Sequence, residues 1–165
     1  VGDSSNWSIN VSGTETNAAF GALSVKTVDG NVQEDSRAVE WTGGYLSQFF
    51  FQSELPLDLS GLAEAGGALS MTFRVDKHPE GRVRQRMDCG YPCSGGMDLT
   101  RLFSALPEGK WITASIKLSC FAKNGLDLSR VNAPLLISTD KPFGLTIIDL
   151  RLTTDVAKNT IVGCT

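Results

Sequence analysis

The stretch that most constrains the fold is Met87 to Phe121, MDCGYPCSGGMDLTRLFSALPEGKWITASIKLSCF, which holds three of the four cysteines. Cys89 and Cys93 are separated only by Gly-Tyr-Pro, so they flank a sharp bend after a strand. The apolar side chains of Leu99, Leu102, Phe103 and Leu106 then recur at the three-and-four spacing of one or two helical turns. From Trp111 the pattern changes to period two. Ile112, Ala114, Ile116, Leu118 and Cys120 point one way, and Thr113, Ser115, Lys117 and Ser119 the other, which predicts a strand with one buried face reaching Cys120. Trp111 falls on the outward set with Thr113.

The rest of the chain repeats this theme. Leu69, Met71, Phe73 and Val75 alternate with Ser70, Thr72, Arg74 and Asp76, and Val83, Gln85 and Met87 alternate with Arg82, Arg84 and Arg86. Lys77-His78-Pro79-Glu80 is close to hairpin length, so the two strands are expected to pair and to line up Arg74, Arg84, Arg86 and Lys117 on one outward face. Further strands are expected after Phe20, at Ala38–Trp41 before Gly43-Gly44, at Leu135–Ser138, and at Phe143–Leu152 with Ile148, Leu150 and Leu152 inward. Phe49-Phe50-Phe51 is a continuous apolar run in which alternation is silent. Together with Tyr45, Leu46, Leu55, Leu57 and Leu59 it reads as core.

Seventeen glycines, six prolines and short alternating segments point to an all-β fold, an antiparallel β-sandwich of jelly-roll type with one or two short helices. At 165 residues the chain suits one domain, taken as 19–165, after a polar, linker-like lead-in at 1–18 in which Trp7, Ile9 and Val11 alternate as a possible first strand. A net charge of −3 leaves no basic excess to invite nucleic acid, and no run of 18 apolar residues is present to cross a membrane as a helix. The start at Val1-Gly2-Asp3, without initiator Met or leader pattern, reads as a piece of a longer or processed protein.

Four cysteines suit an oxidising compartment and hence an exported protein, periplasmic or extracellular. Tying the C-terminal tail to a strand end favours Cys120 with Cys164, which leaves Cys89 with Cys93; a bond from Cys89 or Cys93 to Cys120 remains an alternative. Zinc is disfavoured, because the cysteines form no second knuckle and His78 is the single histidine. That histidine also has no visible catalytic partner.

Cys89-Gly90-Tyr91-Pro92-Cys93, Asp98-Leu99-Thr100, Gly109-Lys110-Trp111, Leu118-Ser119-Cys120-Phe121 and Val131-Asn132-Ala133-Pro134, with Gln33-Glu34-Asp35 and Trp41 upstream, give the chain a resemblance. It resembles the C-terminal, galactose-binding-like domain of ExoP-type bacterial family 3 glycoside hydrolases, the β-glucosidases and exo-β-glucanases, over roughly Gly30 to Leu152. The resemblance implies a non-catalytic accessory domain whose partners are the catalytic domains of its own parent chain and, for a carbohydrate-binding role, β-glucan oligosaccharides. A purely structural scaffold and a standalone carbohydrate-binding module are the alternatives. Sugar sites need exposed aromatic rings beside charged side chains, which selects Tyr91, Trp41, Arg84, Arg86 and Asp88. No cofactor is called for. Because related sandwiches hold structural calcium, Glu34, Asp35 and Asp149 are its candidate ligands, against the plainer reading of a solvated turn and a lone surface carboxylate.

Overall fold

The computed structural model describes residues 15–18, for which only the backbone is considered, and 21–31, 36–156 and 160–164. The alternating segment at Trp7–Val11 and the acidic pair Glu34 and Asp35 lie outside the described residues. Eleven strands are described: β1 (Glu15–Ala18), β2 (Leu23–Val28), β3 (Ser36–Trp41), β4 (Ser47–Phe51), β5 (Ala68–Lys77), β6 (Arg84–Asp88), β7 (Ser94–Asp98), β8 (Trp111–Lys117), β9 (Ala133–Thr139), β10 (Phe143–Thr153) and β11 (Ile161–Val162). Three short helices join them, α1 (Ser60–Glu64), α2 (Thr100–Ala105) and α3 (Leu118–Lys123), with a 3-10 turn at Leu128–Arg130.

The strands form a seven-stranded sheet, in the order β1-β2-β3-β10-β5-β8-β11, and a four-stranded sheet, β4-β9-β6-β7. Every pairing is antiparallel except the short β11, which runs parallel to β8. Period-two alternation puts one face of each sheet into a shared core. Leu69, Met71, Phe73 and Val75 of the large sheet are buried there, as are Phe49, Gln85, Met87 and Ile137 of the small one.

Several expectations are corrected by this topology. β5 and β6 do not pair: β5 lies between β10 and β8, while β6 lies in the other sheet between β9 and β7. The segment between them crosses from one sheet to the other, and it is held by contacts a hairpin would not need. His78 N–H donates to Glu108 Oε1, the His78 imidazole meets the Leu106 carbonyl at 2.8 Å, and Val83 N–H donates to Thr100 Oγ1. Arg74 and Lys117 therefore belong to the large sheet and Arg84 and Arg86 to the small one, and the joint arginine stripe does not form.

The tryptophan strand stops at Lys117. Leu118 to Lys123 is helical, and Leu118, Cys120 and Phe121 are buried from a helix, not from a continuing strand. β7 has no counterpart in the sequence pattern because Gly95 and Gly96 supply no side chains to alternate. Their bareness is structural. A Cβ on Gly95 would run into the Phe121 carbonyl at the end of α3, and one on Gly96 would lie 2.5 Å from the Cβ of Arg86.

On β10 the inward set is Phe143, Leu145 and Ile147 at first. The register against β5 then slips, with Ile147 opposite Phe73 but Asp149 opposite Thr72. This bulge absorbs Ile148 and moves the inward phase to Leu150 and Leu152, which are half-buried. The phenylalanine run also divides. Phe49 and Leu59 are buried and Phe50 and Leu57 half-buried, whereas Phe51, Tyr45, Leu46 and Leu55 are exposed, Leu46 and Leu55 by 67% and 76%, so only part of this region is core.

Candidate functional site

On β6 the inward side chains Gln85 and Met87 leave Arg84, Arg86 and Asp88 on the outer face of the small sheet. Register then brings in neighbours from three other strands. Arg86 stands opposite Leu136 of β9 and Gly96 of β7, and Leu136 stands opposite Phe50 of β4. One row across the sheet thus reads Phe50, Leu136, Arg86, Gly96, running from an aromatic edge to a guanidinium. The next row holds Gln48, Ser138, Arg84 and Asp98.

Arg86 and Asp88 are paired through two contacts, Nε to Oδ1 at 2.8 Å and Nη2 to Oδ2 at 3.2 Å, with both side chains about one-third exposed or less. Only the Nη2 contact is a hydrogen bond; Nε and Oδ1 are close enough to attract as charges but are buried without a hydrogen-bond partner, and together the two contacts hold the guanidinium beside the carboxylate. Gly96 lets Arg86 lie close over β7. At the neighbouring corner Arg82 Nε contacts Asp98 Oδ2 at 2.7 Å, and Thr100 N–H donates to Asp98 Oδ1. Burial acts to raise the Asp98 pKa, but hydrogen bonds from the Thr100 side chain and backbone and the Arg82 guanidinium outweigh it, so the carboxyl lies below its ordinary value.

The turn after β6 displays Tyr91, which is fully exposed. Gly90 takes a φ of 86°, in the left-handed region open to glycine, and the Tyr91–Pro92 bond is cis. Cys89 and Cys93 are disulfide-bonded, Cys93 N–H donates to the Gly90 carbonyl at 2.7 Å, and Gly90 N–H donates to Asn132 Oδ1. Tyr91 is thus held on a braced tip three residues from Asp88. The second disulfide joins Cys120 of α3 to Cys164 of the tail.

Trp41 is withdrawn from the exposed set. It is 1% exposed on β3 of the other sheet, stacks on Phe143 with ring centroids 5.3 Å apart, and donates through Nε1 to the Ser47 carbonyl. The half-buried tryptophan is Trp111, on the opposite outer face, where the Arg74 guanidinium sits 5.2 Å from its ring centroid. Asp149 lies on that same far face, paired with Arg151 at 2.7 Å. Among the described residues no three His, Cys, Asp or Glu side chains come together in a way that would hold a metal ion. Phe50 and Leu136 were missed by sequence reasoning. Phe50 sits inside an unbroken apolar run, and Leu136 gains its place only from strand register.

A family profile described as Exop_C, galactose-binding domain-like, matches residues 1–152. Among solved structures, the extra C-terminal domain (X) of the exo-1,3/1,4-β-glucanase ExoP from a Pseudoalteromonas species is 20% identical, with a TM-score of 0.71 over 93% of this chain and 83% of that one. In the whole ExoP enzyme the match is 21% identical with a TM-score of 0.75, and this chain spans 18% of its length. The family 30 carbohydrate-binding module of a cellulosomal cellulase from Clostridium thermocellum is 20% identical, with a TM-score of 0.62 over 87% of each chain. No curated protein matches in direct sequence comparison. At these identities the structural likeness is one of fold, and it agrees with the profile: the chain belongs to the Exop_C, galactose-binding domain-like family.

Proposed function

We propose that this chain is the non-catalytic accessory domain of an exported family 3 glycoside hydrolase, and that it holds β-glucan on the outer face of its four-stranded sheet. The observation that carries the reading is the row from half-buried Phe50 to Arg86, with buried Leu136 as the floor between them, continued by Asp88 and the displayed Tyr91. A pyranose offers apolar C–H groups on its faces and hydroxyls at its rim. The rings of Phe50 and Tyr91 suit the first, and a pre-oriented guanidinium–carboxylate pair suits the second. Two disulfides favour export. Chemistry is left to other domains of the parent chain: His78, the single histidine, is committed to the Leu106 carbonyl and Glu108. Calorimetric titration of the domain with laminari- and cello-oligosaccharides is expected to give saturable heat that Arg86→Ala or Tyr91→Ala abolishes. Flat heat at millimolar oligosaccharide sinks this reading.

A second role in the same parent rests on a different observation. Tyr45, Leu46, Phe51 and Leu55 are exposed around edge strand β4, an apolar surface suited to docking against the catalytic domains. Placing Leu46→Glu and Leu55→Glu together in the full-length enzyme should lower its thermal midpoint while changing the isolated domain little. An unchanged parent would remove the docking role.

A further inference from the structure

On the side of the sandwich closed by α2 and the C-terminal tail, the core is not fully filled. A cavity of about 10 Å³ lies between the sheets, walled by Leu69, Met71, Phe73 and Ile116 and by one polar side chain, Gln85. Gln85 is 1% exposed, and its Oε1 has no hydrogen-bond partner. A buried carboxamide oxygen left unpaired is destabilising, because the hydrogen bonds it made to water are not replaced. A single water there would find one polar partner, where buried waters typically make about three bonds.

Directly outside lies a recess of about 690 Å³, bounded by α2 and by Val162 and Gly163 of the tail. Leu99, Leu102 and Val162 line both spaces, so these three apolar side chains form the threshold between recess and cavity. Val162 is held there by the pairing of β11 with β8 and by the Cys120–Cys164 disulfide two residues on. At the outer rim Arg82 and Asp98 already neutralise each other.

We propose that this recess binds a small neutral alcohol, aromatic or alicyclic, lying against Leu99, Leu102 and Val162 with its hydroxyl donating to Gln85 Oε1. The ligand is neutral because the inner wall carries no countercharge, and it carries a hydroxyl because the one unmet group is an acceptor. This site is separate from the outer sheet face and does not depend on sugar binding there.

Phenol and toluene, alike in shape and differing in the donor, are the probes. Followed by NMR on the oxidised domain, phenol should shift the Gln85 side-chain amide saturably and bind about tenfold tighter than toluene, the effect of one satisfied buried acceptor. In Gln85→Met the two should bind alike, and Leu102→Trp, which fills the threshold, should remove both. Equal binding of phenol and toluene by the unaltered domain, or no saturable shift with phenol, overturns the proposal whether or not Gln85→Met folds. A phenol preference that survives in Gln85→Met overturns it as well.

Discussion

Trp41 and Asp98 illustrate how the same residue type acquires different work from its surroundings. An indole next to Gly43-Gly44 at a strand end has the sequence context of a displayed ring, yet it is sealed against Phe143 with its N–H paired to the Ser47 carbonyl. Trp41→Ala should therefore cost about 3–5 kcal/mol of stability, as large core truncations do, and chemical denaturation will read it. Asp98 gives a prediction with a sign. Its folded-state pKa is lowered, because Thr100 and Arg82 together outweigh the opposing effect of burial. A lowered carboxylate contributes stability that is present above the unfolded value near pH 4 and is lost as pH falls through the folded one. Asp98→Asn should thus be less stable than the unaltered domain at neutral pH, with the gap narrowing as pH falls below the unfolded value, in urea melts on either side of it.

At the scale of elements, alternation identified the inward residues of β5 and β6 correctly because each strand has one buried and one wet face. It could not say which sheet each joins, since period two carries no information about partners, and the connection through His78 is short enough for either outcome. β7 was invisible for a related reason: Gly95 and Gly96 serve α3 and Arg86 by being absent, and a missing side chain leaves no pattern. The site divides the same way. Arg84, Arg86 and Asp88 were legible as one face because they alternate on one strand, while Phe50 and Leu136 joined them through pairings between segments distant in the chain. The disulfides rank by the chain they enclose. Cys120–Cys164 spans 44 residues and Cys89–Cys93 spans 4, so replacing the first pair by serines should cost about 4 kcal/mol and the second about 2 kcal/mol in the chain-entropy account. Equal losses in thermal unfolding would indicate that closure length is not what the bonds contribute.

The molecule as a whole is a sandwich whose two outer faces are chemically unlike. One presents Phe50, Arg86 and Asp88, and the other presents Trp111 under Arg74 with Asp149 paired to Arg151. Both faces rest on a core that β10 completes, for β10 is hydrogen-bonded to β3 on one side and to β5 on the other. That placement sets an order of events for a chain made from its N-terminus. Until residues 143–153 have emerged, β3 and β5 have no common neighbour and the large sheet is two unconnected pieces. Nascent chains halted at Asp140 should accordingly be cut readily by protease, and chains released past Cys164 should resist it.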